Sequence, residues 1–211
     1  FSGTCEEDVS DESCYAAERD FQNVAITSQD GFFSIAFNAT PEIDELDSVI
    51  GLSSFEGTHW SEYAVLVRFS PDGLIDVRDG DSYSYETEVQ YSGFSSYYFM
   101  INVNVTSGNY DVYVTPESGA EIMIAKDYSF RTEQANTIEI NFMGFQAYDP
   151  VNICNVEILD DVISEHIHEA DLNSDMDIDI SELNNYIELW KSSSSISLAQ
   201  IISAIEIWKN N

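Results

Sequence analysis

From about residue 20 to residue 159 the chain repeats one pattern: a short run rich in Val, Ile, Tyr and Phe, then a cluster of turn-forming residues. The runs are FQNVAIT, GFFSIAFNAT, DSVIGLSS, EYAVLVRFS, GLIDVRDG, SSYYFMINVNV, GNYDVYVT, AEIMIAK, TIEINFMGFQA and NICNVEIL. SQDG, SPDG, RDGD, TSGN and PESGA stand among the breaks, where glycine supplies positive φ and Asp, Asn and Ser bond to nearby backbone. Apolar residues alternate within many runs, so each buries one face and leaves the other to solvent. With no amphipathic helix between them, such strands predict a mainly β fold: two antiparallel sheets packed as a sandwich.

After Asp160 the period changes. DVISEHIHEA places Val162, Ile163, Ile167 and Ala170 on one helical side. SELNNYIELWK does the same with Leu183, Tyr186, Ile187 and Trp190, and SLAQIISAIEIWK with Leu198, Ile201, Ile202, Ile205 and Trp208. The last two segments are copies: aligning Ile178 with Ile196 also matches Ile187 with Ile205, Glu188 with Glu206, Trp190 with Trp208 and Lys191 with Lys209. The expected organisation is an N-terminal arm over 1–19, a β-sandwich over 20–159 and a small α-helical module over 160–211.

The charge balance is extreme, with 39 acidic against 7 basic residues and a net charge of −32. Nothing could neutralise a phosphate backbone, so nucleic acid is excluded as a partner, and an anionic membrane surface is disfavoured for the same reason. No apolar run reaches the roughly 18–20 residues that would span a bilayer. Self-repulsion on this scale suits divalent cations or high salt, hence a calcium-containing extracellular medium or a halophile's cytoplasm. The abundance of Ile, Tyr, Asn and Ser favours the extracellular setting. A first residue other than methionine fits removal of a signal peptide. Two sequons, Asn38-Ala39-Thr40 and Asn104-Val105-Thr106, lie in strand-like runs whose alternation turns both asparagines away from the core, so a secreted glycoprotein is expected.

Three cysteines leave one odd. Cys5 and Cys14 bracket a short polar loop that a local disulfide could close. Cys154 alternates with Val156 and Ile158 and reads as core-facing. The expectation is Cys5–Cys14 with a buried thiol at Cys154; the rival is Cys154 bonded to one of the other two, tying the arm to a late strand.

DLNSDMDIDISE, residues 171–182, carries the most specific chemistry. A calcium loop of EF-hand type takes oxygens from positions 1, 3, 5, 7, 9 and 12. Those are Asp171, Asn173, Asp175, Asp177, Asp179 and Glu182, with Ile178 at the apolar position 8. Met176 replaces the usual glycine where φ is positive, costing about 1 kcal/mol. The second copy has KSSSSIS before its helix and Gln200 in place of the glutamate, so it should hold no metal. His166 and His168 lack further soft ligands nearby and read as helix-surface or packing residues.

On these residues the segment HEADLNSDMDIDISELNNYIELWK…ISLAQIISAIEIWK resembles a dockerin-type module of microbial surface proteins. The resemblance implies a protein partner, another copy of the same chain included. VIGLSS, AVLVRFSPDGLIDVRDG, YDVYVTPESGAEIMIAKDYSFRTEQ and ICNVEIL resemble concanavalin-like, laminin-G-type jelly rolls, which implies the fold more than an activity. Two functions follow as expectations. One is a non-catalytic, calcium-binding assembly protein of the cell surface, polymerising or docking into a fibre or layer. The other is a carbohydrate-binding, adhesin-like module tethered by the docking domain, with Trp60, Tyr83 and Tyr85 as candidate glycan-stacking residues. Arg131 in FRTEQ is the most pointed arginine, and an ion-pair role is expected for it. No catalytic set is legible, because carboxylates are too abundant for any pair to stand out.

Overall fold

In the computed structural model the described residues are 14–17, 21–159, 170, 178, 180–192, 205 and 208. The chain divides into two compact units, Phe1–Leu159 and Asp160–Asn211. Among the described residues the first unit contains twelve strands. They are β1 (Cys14–Ala17), β2 (Gln22–Gln29), β3 (Phe32–Pro41), β4 (Ser48–Ser53), β5 (Val65–Phe69) and β6 (Leu74–Asp79). Then come β7 (Ser82–Gln90), β8 (Tyr97–Asn104), β9 (Asn109–Pro116), β10 (Ile122–Ser129), β11 (Ile140–Ala147) and β12 (Val151–Leu159). They form two six-stranded antiparallel sheets, in the order β1-β12-β3-β8-β9-β10 and β2-β11-β4-β5-β6-β7. This is the expected jelly-roll sandwich.

The alternation read in the sequence fills the space between the sheets. Phe33, Ile35, Phe37 and Ala39 of β3 and Phe99, Ile101 and Val103 of β8 are buried, as are Val67 and Phe69 of β5 and Met143 and Phe145 of β11. Phe37 stacks on Phe99 at 5.1 Å between centroids, and Phe69 meets Tyr91, Tyr97 and Phe99 edge-on. Such ring pairs contribute about 0.5–1.5 kcal/mol each beyond their buried area. The Tyr91 hydroxyl also satisfies backbone: it accepts from the Leu46 N–H at 2.7 Å and lies 2.8 Å from the Ser70 carbonyl. Burial pushes this phenol up to about 12.

Three sequence expectations need correction. Cys14 bonds to Cys154, not to Cys5. The reason is pairing: β1 adds to the edge of the first sheet beside β12, with Cys14 directly opposite Cys154, so Cys14–Ala17 belong to the sandwich and not to an arm. Nor does Cys154 face the core. Val151 and Ile153 do, but the ladder with β3 shifts between Cys154 and Glu157, where Asn155 takes φ 55°. The bulge moves the core-facing phase to Val156 and Ile158, leaving Cys154 on the outer side with Asn152. The third correction is β7, which no run in the sequence predicted. It is an edge strand with a largely exposed face, so apolar alternation is missing.

In the second unit, α1 (Ile180–Ser192) forms where the period of SELNNYIELWK places it. Leu183 and Tyr186 pack with Ala170 and Ile178 in a small buried cluster that Ile187 and Ile205 cover. Trp190, expected on the same face, is 37% exposed instead. No helix among the described residues is long and apolar enough to cross a membrane.

The Cys14–Cys154 bond spans 140 residues of sequence. Replacing Cys154 by serine, or adding reductant, is expected to cost about 2–5 kcal/mol in denaturant melts. Cys5→Ala should leave the midpoint where it is. A Cys5-dependent midpoint would show that the bond lies elsewhere.

Candidate functional site

The outer face of the second sheet carries a row of residues that backbone pairing alone brings side by side. Gln146 of β11 pairs with Val49 of β4, Val49 with Arg68 of β5, and Arg68 with Asp76 of β6. One step along, Arg78 of β6 faces Tyr83 of β7. Most of that face would be flat, but the segment between β4 and β5 folds back across it. Its anchor is Tyr63, fully buried, whose Cβ lies over Gly51 of β4 and whose ring lies over the facing Gly144 of β11. A Cβ on Gly144 would collide with the Tyr63 hydroxyl oxygen, and one on Gly51 would sit 2.6 Å from the Val65 carbonyl. Phe21 stacks on the ring at 5.2 Å, and the Tyr63 hydroxyl donates to Asn23 Oδ1 at 2.7 Å.

Just before Tyr63, the 3-10 turn Trp60–Glu62 presents Trp60. Its start is fixed by Glu62, whose Oε2 accepts from the N–H groups of Thr58 (2.6 Å) and His59 (3.1 Å). Those bonds, the Thr58 N–H first, hold the Glu62 carboxyl below the usual carboxylate range. The Trp60 ring leans on His59 at 4.8 Å and covers the Arg131 guanidinium at 4.2 Å. Arg131 is 2% exposed. Its Nη2 donates to Glu133 Oε1 at 3.1 Å, so the ion pair expected from the sequence is present. Nε lies 3.0 Å from Glu133 Oε2 but out of line for a hydrogen bond, and Nη1 is buried without a partner.

These elements enclose a hollow of about 210 Å³ lined by Trp60, Tyr83 and Tyr148, by Arg68 and Arg78, and by Asp47, Val49 and Gln146. Three of the chain's seven basic residues surround one phenol. Arg68 lies 3.9 Å and Arg78 5.1 Å from the Tyr83 ring centroid, and Arg131 also acts on Tyr83 through space. Burial nevertheless raises the Tyr83 pKa, with Arg68, Arg78 and Arg131 only partly offsetting it, so the phenol keeps its proton at neutral pH. Arg68 is committed to Asp76 by two parallel bonds, Nε to Oδ1 at 2.9 Å and Nη2 to Oδ2 at 2.6 Å. Burial pushes Asp76 up, and the guanidinium pulls it back only in part. Chemically the hollow offers aromatic faces, forked donors and one lining carboxylate. A wider cleft of about 490 Å³ between the 105–108 and 135–138 loops offers no aromatic ring.

Of the residues singled out in the sequence, Trp60 and Tyr83 meet in this hollow. Tyr85 does not line it; it is exposed further along β7, its hydroxyl near Glu88 Oε2 at 3.5 Å. Asn38 and Asn104 point away from the core as expected. Asn38 sits between Cys154 and Tyr98 in the first sheet, and Asn104 Oδ1 accepts from the Ser107 N–H at 3.1 Å. Asp171, Asn173, Asp175, Asp177, Asp179 and Cys5 lie outside the described residues. Glu182 is described: it is 6% exposed in the first turn of α1. No group of three or more metal-ligating side chains converges among the described residues. Sequence reasoning did not connect Arg68, Arg78, Gln146 and Tyr148 to Trp60. The available signal was an arginine in the apolar run VLVRF of a strongly acidic chain.

No family model matches the chain. A gellan lyase from a Bacillus species is 25% identical over 99 residues, which is 46% of this chain and 4% of that enzyme. The match therefore spans a small piece of that relative's length. Lectin I-B4 from Griffonia simplicifolia, in its metal-free form, covers 74% of this chain and 95% of its own, with 9% identity and a TM-score of 0.46. Peanut lectin covers 75% and 96% at 10% identity and 0.44, and a GH131 β-glucanase catalytic domain from Podospora anserina covers 67% and 65% at 8% and 0.45. Likeness of this order transfers no residue role.

Arg68→Met leaves the Asp76 carboxylate, 11% exposed, without its counter-ion. The expected loss at neutral pH is about 3–5 kcal/mol. Because the folded-state pKa of Asp76 is raised, the folded variant takes up a proton before the unfolded chain does, and the deficit should shrink as pH falls toward 4. Denaturant melts across that range check both, and a deficit independent of pH would refute the pairing account.

Proposed function

We propose that the sandwich is a non-catalytic carbohydrate-binding domain of a secreted cell-surface protein, and that the Trp60–Tyr83–Tyr148 hollow is its sugar site. The observation that carries this reading is three aromatic rings around a small hollow that also presents guanidinium, carboxylate and amide groups. A pyranose has an apolar C–H face and a rim of hydroxyls. Aromatic side chains cover the first, and planar polar groups bond the second in pairs. At about 210 Å³ the hollow is smaller than the roughly 300–1,000 Å³ of drug-sized ligand sites and suits one sugar ring. The segment of similarity to an enzyme named for a polysaccharide, gellan, supports the same class of ligand.

Binding without catalysis is the better fit to the chemistry. Glycosidases place two carboxyl groups about 5–9.5 Å apart across the scissile bond. Here Asp47 is the one carboxylate on the lining, while Asp76 is bound to Arg68. A phenol held protonated, as Tyr83 is, makes a poor base. Titration of oligosaccharides against the protein, followed by tryptophan fluorescence and calorimetry, should show saturable binding that Trp60→Ala or Tyr83→Ala weakens at least tenfold with the β fold intact. Binding indifferent to both substitutions would sink the site.

In the same reading the helical unit is a dockerin-like module stapled by calcium, docking the sandwich to a protein partner or to another copy. Asp171, Asn173, Asp175, Asp177, Asp179 and Glu182 would hold the ion, which supplies the charge that lets these carboxylates lie together. What supports it is the spacing of these six oxygen-bearing residues in the sequence, with Glu182 in the first turn of α1. Calcium should raise the helical content and melting temperature of this unit, and Glu182→Gln should abolish that response. Assemblies that survive chelation unchanged would remove calcium from any docking role.

A further inference from the structure

The three arginines at the hollow are not equivalent. Arg68 spends its fork on Asp76, and Arg131 lies beneath Trp60 against Glu133. Arg78 uses only Nε, which donates to the Gly80 carbonyl at 2.9 Å. Its two terminal nitrogens take no partner among the described residues, although the side chain is only half-buried and lines the hollow. That single bond fixes the plane of the guanidinium and leaves its outer edge as a two-pronged donor. In a chain of net charge −32, a cation with a free fork beside aromatic rings stands out from its surroundings.

We infer that Arg78 makes the hollow selective for a saccharide carrying an isolated carboxylate, a hexuronic acid unit in an otherwise neutral chain. This rests on the saccharide-binding reading above and specifies its ligand. A carboxylate matches the guanidinium edge in a planar, bidentate pair, about twice as strong as a neutral hydrogen bond. Asp47 on the same lining limits the site to one anion and is placed to accept from sugar hydroxyls. The charge of the whole chain sets the density. A polyuronate brings a negative charge on every sugar against the acidic surface, which ions screen only beyond about 8 Å at physiological salt. An isolated acid feels Arg78 and little else.

The test uses the full chain and pairs of oligosaccharides derived from xylan, glucan and galactan. Each pair is one chain bearing a single uronic acid and the same chain after reduction of its carboxyl group. The acidic member should bind at least tenfold tighter than the reduced one. Arg78→Gln should close the gap, so that the acidic and reduced members of each pair bind with equal affinity. Arg78→Lys should restore only part of the difference, and both variants should melt within a few degrees of the parent. At 20 mM salt a polyuronate should bind more weakly than the singly charged oligosaccharide. Equal affinity within pairs, or a difference that survives Arg78→Gln, overturns the selectivity and leaves saccharide binding standing, as does a polyuronate that binds tighter. Absence of binding by either member of every pair overturns the saccharide reading itself.

Discussion

The contact on which the candidate site depends is a phenol lying on bare backbone. Tyr63 can cross the outer face of the second sheet only because Gly51 and Gly144 present no side chain beneath it. The ring then buries itself against Val49 and Leu66 under Phe21, which makes a second, small apolar cluster outside the main core. Everything that gives the face a shape follows from this. The segment carrying Trp60 is held down, Asn23 closes it from β2 with bonds to Gly57 and the Tyr63 hydroxyl, and Gln134 bonds the Ser61 carbonyl from the other side. Without the glycine pair the loop would stand off the sheet and the row Gln146–Val49–Arg68–Asp76 would face solvent as an open β surface.

Charge is distributed with the same economy. A surface so acidic can place a few cations almost anywhere at a profit in Coulomb energy, yet exposed pairs contribute little, with a median of about 0–1 kcal/mol. Lys191 with Glu188 on α1 is a pair of that kind. Arg68 and Arg131 are instead taken into the protein, where their partners and the rings of Tyr83 and Trp60 must replace water. Burying a guanidinium costs several kcal/mol unless its donors are met, and Arg131 still has one nitrogen unmet. Arg68 and Arg131 stiffen Tyr83 and Trp60, and a ring already fixed would lose little freedom on binding a ligand.

The sandwich was legible in the sequence because its core strands are amphipathic. FFSIAF and YYFMINV place their large residues on one face, and both strands pair as their alternation requires. The cysteine failures share a cause: both depended on pairing between distant residues. A single bulge at Asn155 inverted the face of Cys154, and the opposite position of Cys14 then decided the disulfide. The polar edge strand β7 carries Glu86 and Glu88 on its exposed side, which protects a sheet edge but hides the strand from any search for apolar alternation. At the site, Trp60 and Tyr83 could be named as aromatic candidates. Arg68 and Asp76 are eight residues apart and meet through a hairpin whose register only the folded sheet displays.

The two units also differ in how much of their own stability they can supply. The sandwich buries two full sheet faces and closes its edge with a disulfide. The described cluster of the helical unit consists of Ala170, Ile178, Leu183 and Tyr186, with Ile187 and Ile205 alongside. Units below about 70–80 residues rarely hold more than 3–5 kcal/mol from a core alone and draw on disulfides, metals or partners. Asp160–Asn211 contains no cysteine, and its loop is dense in Asp. In the calcium reading proposed above, a bound cation would offset the mutual repulsion of those carboxylates. Glu182, 6% exposed, stands in the first turn of α1, and Trp190 and Leu189 are exposed on the same helix.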